Sequence, residues 1–175
     1  MADGITLRTA ETDADLDHIT ALAHRIWHEH YPGIITREQI DYMLAHGYSR
    51  DRLRADTAAG VRYVMAHTDP TKPAVAFAAH GPDETDASRF WLHKLYVDRA
   101  ERGRGLARQL VNAALLDARQ QDCEKLWLRV NRDNHLAVAS YRRLGFTVAA
   151  EHVQDIGGGF VMDDYLMAQP VNAKG

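Results

Sequence analysis

Arg102-Gly103-Arg104-Gly105-Leu106-Ala107 is the stretch whose residue types and spacing point most directly to chemistry. Glycine lets a backbone approach a ligand closely, because no Cβ stands in the way. An apolar and aromatic run at 90–97 suits a strand before the turn. After it, 106–118 has helical periodicity with no Pro or Gly, so the turn opens a helix. The first N–H groups of a helix lack intrahelical partners and face whatever sits there, with the positive end of the dipole behind them. Arg102 and Arg104 add guanidinium groups that match phosphate oxygens. Together these features describe a polyphosphate site, weighed against an ordinary Arg/Gly helix start. No Gly-Lys-Ser/Thr follows, and the third Gly and acidic strand end of a dinucleotide fingerprint are missing.

A second chemical candidate stands on the strand itself. His93 lies two residues before Leu95 and shares a sheet face with Leu95 and Val97. A histidine with an ordinary pKa near ~6.5 accepts a proton at neutral pH, directly or through water. The competing reading is a histidine satisfied inside the core. His24 and His28 sit four apart on a helix, but no third ligand at suitable spacing accompanies them, so no metal is expected.

Composition sets the frame for these groups. The 175 residues suit one domain spanning 1–175, with an ordinary hydrophobic content of 46% and charged content of 26%. A net charge of −3 gives no reason to expect nucleic acid. No apolar run approaches the ~20 residues of a membrane span, and the N-terminus does not read as a signal peptide. A single cysteine, Cys123, suits a reducing compartment, and the cytoplasm is the expected location.

The elements that must position the site follow in order. A first strand is expected at 5–8, then a helix capped by Thr12 or Asp13 and stopped by Pro32-Gly33. Thr36 to Gln39 reads as a capping box, with Ile35 and Ile40 as a hydrophobic staple, opening a helix that ends near Gly47. A short polar helix is expected at 49–59 and strands at 62–66 and 74–79. The 90–97 strand and the helix after the Arg/Gly turn come next. A strand at 125–130, a helix at 135–144 stopped by Gly145, and strands at 146–152 and 160–168 close the chain. Gly157-Gly158-Gly159 is read as a hairpin or bulge turn in preference to a phosphate loop. The result is α+β, a mixed α/β arrangement with helices packed on one sheet.

Two separated stretches then match one family. The strand and Arg-Gly-x-Gly-x-Ala turn at 90–118 is followed at the right distance by Leu-Arg-Val-Asn-Arg-Asp-Asn-His-Leu-Ala-Val-Ala-Ser-Tyr-Arg-Arg-Leu-Gly-Phe at 128–146. Together they resemble the Gcn5-related N-acetyltransferase (GNAT) superfamily, and the order of elements agrees along nearly the whole chain. Ile-Trp-x-x-x-Tyr at 26–31, Glu-Gln-Ile-Asp-Tyr-Met-Leu at 38–44 and Gly-Gly-Gly-Phe-Val-Met-Asp-Asp-Tyr at 157–165 further resemble a bacterial-type subgroup.

The resemblance implies a central, mixed, mostly antiparallel twisted sheet of about seven strands, flanked by helices and splayed between strands 4 and 5. It implies acetyl-CoA as cosubstrate and no metal. Leu95, Tyr96 and Val97 would offer backbone groups to the pantetheine arm, and Arg102, Gly103, Arg104, Gly105, Leu106 and Ala107 would hold the pyrophosphate. Asn134 would hydrogen-bond the pantetheine, and Tyr141 would reach the thioester sulfur as general acid. Relatives that acetylate arylalkylamines resemble this chain at His93, where they carry a catalytic histidine; a water chain is the alternative base. Trp27, Tyr31, Tyr42, Phe160 and Tyr165 are candidate acceptor walls, and Glu29, Asp41, Asp163 and Asp164 could attract a cation. The implied activity is transfer of an acetyl group to a primary amine of a small molecule, such as a polyamine, an amino acid derivative or an amine antibiotic. A protein N-terminus or lysine is the alternative acceptor, and a non-catalytic acyl-CoA-binding regulator the alternative of another class. Dimers are frequent in the family, so a homodimer is a further expectation.

Overall fold

The computed structural model describes residues 4–171. The elements run β1 (Thr6–Thr9), α1 (Asp13–His30), α2 (Arg37–Gly47), α3 (Arg50–Ala58), β2 (Arg62–His67), β3 (Ala76–Pro82) and β4 (Arg89–Val97). A 3-10 turn at Arg99–Glu101 leads to α4 (Leu106–Gln120), β5 (Lys125–Asn131), α5 (His135–Arg143), β6 (Thr147–Gly157) and β7 (Phe160–Pro170). The strands form a seven-stranded sheet in the order β1-β2-β3-β4-β5-β7-β6. β4 and β5 run parallel, with Arg89 opposite Lys125 and Trp91 opposite Trp127. The β1–β2, β2–β3, β5–β7 and β6–β7 pairs are antiparallel. This is the expected mixed, mostly antiparallel sheet, with its parallel step where strands 4 and 5 were placed.

The chain's internal contacts group into two compact units. The first holds residues up to His80 and Lys94–Ala113; the second holds Gly81–His93 and the chain from Ala114 onward.

In the first unit, the helix starts follow their sequence signals. Thr12 Oγ1 accepts from Asp15 N–H, and the Asp15 carboxylate accepts in return from the Thr12 N–H. Arg8 clamps the same carboxylate with two bonds of 3.0 and 2.7 Å. Thr36 and Ser49 cap α2 and α3 through Gln39 and Arg52 N–H groups. Ile19, Leu22, Ile26, Trp27, Ile40, Leu44, Leu53, Tyr63 and Phe77 form one buried cluster. Leu16, Ile19, Leu22, Ala23, Ile26 and Trp27 recur at three- to four-residue spacing along α1, so that helix buries one face in the cluster.

In the second unit, β5 alternates between a buried face (Leu126, Leu128, Val130) and a more open one. Asn134 caps α5 by accepting from Ala137 N–H at 3.4 Å. Gly145 has φ +101°, a conformation that favours glycine, and a Cβ there would stand 3.0 Å from the Gln169 carboxamide oxygen. β6 and β7 extend beyond the expected 146–152 and 160–168. Most of β6 is exposed, so its far half carries no apolar alternation to read. The triple glycine turns between Gly157 and Phe160 as a hairpin.

Candidate active site

The Arg/Gly turn lies in the first unit. Gly103 and Gly105 have φ +80° and +83°, and a Cβ at either position would meet no heavy atom within 4 Å. Both glycines are therefore required by conformation and face open space, which is what close approach of a ligand to backbone needs. Gly105 precedes the first residue of α4, whose Leu106 is buried and anchors the helix start. Arg102 and Arg104 are exposed. Arg104 is paired with Glu101 at 2.5 Å. A negatively charged pyrophosphate fits this donor set.

The last residues of β4 belong to the same unit. Leu95, Tyr96 and Val97 are partly buried, unlike the fully buried Phe90, Trp91 and Leu92. Beside them Lys94 turns inward. Its Nζ donates to the Gly47 carbonyl at 2.7 Å and the Tyr63 hydroxyl at 2.8 Å, lies 3.6 Å from Asp56, and sits over the Tyr48 ring at 4.2 Å. Burial pushes the Lys94 ammonium down to about 8, with the Asp56 carboxylate opposing that fall. Burial, with the hydrogen bond to Asp56, raises the Tyr63 phenol above its ordinary range.

An aromatic cluster stands next to this lysine. Trp27 is 4.4 Å from Tyr31, 5.7 Å from Tyr48 and 5.8 Å from Tyr96, ring centre to ring centre. The Tyr31 and Tyr96 hydroxyls are 3.4 Å apart. Two of the five wall candidates, Trp27 and Tyr31, are thus brought together. Tyr42 stacks on His46 along α2 at 4.0 Å. Tyr48 and Tyr96 complete the cluster, and their positions in sequence did not mark them as walls. His28 bonds the His24 carbonyl and Asp41, so these residues are tied into α1 and α2.

The second unit carries the remaining candidates. Tyr141 is half-buried near the end of α5, its ring edge-on to Phe146 at 5.8 Å. The Phe146 N–H donates to the Tyr141 carbonyl, so the Tyr-x-x-x-Gly-Phe spacing closes a turn that fixes the tyrosine. Asn134 is buried and serves as the α5 cap. His93 is exposed, not a core histidine. Phe160 begins β7, and Tyr165 lies under the Arg132 guanidinium at 5.4 Å. Asp164 is 2% exposed, and its Oδ1 has no hydrogen-bond partner among the described residues. Burial pushes its carboxyl up to about 6, against the nearby charges of Arg129 and His152.

Residues 20–146 match the family model described as the acetyltransferase (GNAT) family. The chain belongs to the GNAT family. Among similar proteins, a mycothiol acetyltransferase of Rhodococcus erythropolis is 30% identical over 150 residues, covering 82% of this chain and 47% of that protein. A spermine/spermidine N(1)-acetyltransferase of Bacillus subtilis is 28% identical over 94 residues, covering 50% of this chain and 60% of that one. The chain thus spans about half the length of the mycothiol acetyltransferase it matches. In fold, the GNAT chain is similar to the PaiA N-acetyltransferase of Thermoplasma acidophilum solved with coenzyme A. The TM-score is 0.77 at 19% identity, over 95% of this chain and 98% of the other. Among the described residues no helix is long and apolar enough to cross a membrane.

Proposed function

We propose that this GNAT chain transfers the acetyl group of acetyl-CoA to a primary amine of a small molecule by direct attack. The turn at 102–107 carries this reading. Two left-handed glycines open to solvent, exposed guanidinium groups and the N-terminus of a 15-residue helix form an anion cradle in a GNAT chain. Arg102, Gly103, Arg104, Gly105, Leu106 and Ala107 hold the pyrophosphate. Leu95, Tyr96 and Val97 offer backbone to the pantetheine, as does the side chain of Asn134. Tyr141 gives a proton to the departing thiolate. His93, exposed on β4, or a water chain takes one from the amine.

A small acceptor is supported by the aromatic cluster around Trp27 and by the acceptors in the relatives' names, mycothiol and spermine or spermidine. Calorimetry with acetyl-CoA, then thiol release over a panel of polyamines, amino sugars and amino-acid amines, tests both parts. Binding with turnover on a small amine is expected. Tight binding with no turnover on any amine or peptide would replace this reading with a regulator, and turnover on peptides alone would move the acceptor to protein.

A further inference from the structure

We propose that Asp164 receives the acceptor's primary ammonium group and removes its proton, on a sheet face that it shares with His93. This rests on the acetyltransferase reading above and deepens it by naming the protonation state in which the acceptor is taken.

The face follows from register within the second unit. Asp164 pairs with Asn131 on β5 and with His152 on β6, and residues directly opposite across antiparallel strands project to the same side. Arg129 stands two residues before Asn131 and therefore on that side too. Its guanidinium lies 4.5 Å from the centre of the Trp91 ring, which puts Trp91 on the same face. His93, two residues after Trp91 on β4, follows by alternation. Asp164 thus shares its face with the exposed histidine of β4. Its row stands at the end of β5, which leads directly into Asn134 and the helix of Tyr141.

Chemistry explains what such a group is for. A buried carboxylate oxygen without a donor is costly unless a donor arrives from outside the chain. The charged and titratable groups around Asp164 are Arg129 on β5, His152 on β6 and Asp163 beside it. The Asn131 side-chain oxygen is engaged by the Asp133 N–H at 2.9 Å. A single carboxylate in this setting suits a monovalent ammonium, whereas a divalent ion takes several more oxygens. With its carboxyl at about 6, Asp164 is ionised at neutral pH yet basic enough to accept a proton.

The step balances as follows. The ammonium gives one proton to the Asp164 carboxylate, and the freed lone pair forms the C–N bond at the thioester carbonyl carbon. The C–S bond breaks, and the thiolate takes a proton from Tyr141. The second nitrogen proton then leaves to water or His93. The net products are the N-acetyl amine, coenzyme A and one proton, with no oxidant or reductant.

The test is the pH dependence of kcat/KM for an amine that the wild-type protein acetylates. Bound as an ammonium, it gives kcat/KM that rises to a plateau above pH ~6 although the free amine titrates near ~10. A tenfold rise per pH unit continuing toward that value would mean that neutral amine is bound, and would overturn the proposal without any variant. Asp164→Asn should lower kcat/KM about 10²- to 10⁴-fold and abolish the acidic limb, with acetyl-CoA affinity unchanged. Asp164→Glu should restore part of the rate. A limb that survives in Asp164→Asn, or a loss of acetyl-CoA affinity parallel to the loss of rate, would assign the effect elsewhere. Absence of turnover in the wild-type protein on every amine defeats the acetyltransferase reading itself and is a separate result.

Discussion

Replacing Asp164 by asparagine should make the protein more stable at neutral pH and leave it unchanged in acid. The carboxyl moves from an ordinary 3.8 to about 6 because it is buried. The folded chain therefore keeps this proton to higher pH than the unfolded chain. Between those values the native state binds more protons, so stability falls as pH rises, and the full penalty is present above about pH 6 to 7. A difference of roughly two pKa units is worth ~3 kcal/mol at 1.36 kcal/mol per unit. Asparagine matches the protonated acid in shape and carries no charge to desolvate. Urea unfolding followed by tryptophan fluorescence at pH 4 and pH 7.5 reads the effect directly. The variant should equal the wild type at pH 4 and exceed it by ~2–3 kcal/mol at pH 7.5, a rise of ~5–10 °C in Tm for a chain of this size. A variant less stable at pH 7.5, or a gap of the same size at both pH values, would refute the reasoning. A stabilised variant that has lost turnover would show an acid kept at the expense of stability.

The other expectations are more local. Tyr141→Phe should cut turnover at least tenfold while leaving acetyl-CoA affinity near wild type by calorimetry; an unchanged rate would remove Tyr141 as the acid. Gly105→Glu should abolish acetyl-CoA binding, because it forces a side chain into the φ +83° conformation and places a carboxylate in the open cradle. Retained affinity would move the pyrophosphate elsewhere. Thr12→Ala should cost ~1 kcal/mol in urea unfolding through loss of the α1 cap. Lys94, held at about 8 when folded, sheds its proton before the unfolded lysine does, so stability should rise from pH 8 toward about 10, where tyrosines begin to ionise. Lys94→Met should flatten that rise.

Much of this was legible because local rules and tertiary demands agree. The Thr12, Thr36 and Ser49 starts, the Gly145 stop and the α1 apolar spacing are short-range signals, and the fold honours each. The turn glycines Gly103 and Gly105 were readable for the same reason, since they are demanded by their own dihedral angles. Groups created by pairing at a distance were not legible as such. Lys94 reads as an ordinary charged residue until Tyr63, Asp56 and the Gly47 carbonyl surround it. Asp164 stood in sequence as one of four acids that could attract a cation. Only its burial and its register with Asn131 and His152 separate it from Asp163. Tyr48 and Tyr96 meet the Trp27 ring through the packing of α1, β4 and the end of α2, which no spacing along the chain encodes.

The Lys94 anchorage has a consequence for how such a protein can diversify. One ammonium fastens the C-terminal carbonyl of α2 and the hydroxyl of β2 to the strand position immediately before Leu95. The walls proposed for the acceptor, Trp27, Tyr31 and Tyr42, lie on α1, at its C-terminal cap and on α2, so a descendant exploring new acceptors would change side chains there. It can exchange those side chains freely. It cannot lengthen or shorten α2 without moving the carbonyl at Gly47, stranding a buried charge and loosening the end of β4. Innovation in this chain is therefore steered toward substitution and away from insertion, so its repertoire should widen by swaps of ring and charge on a helix of fixed length.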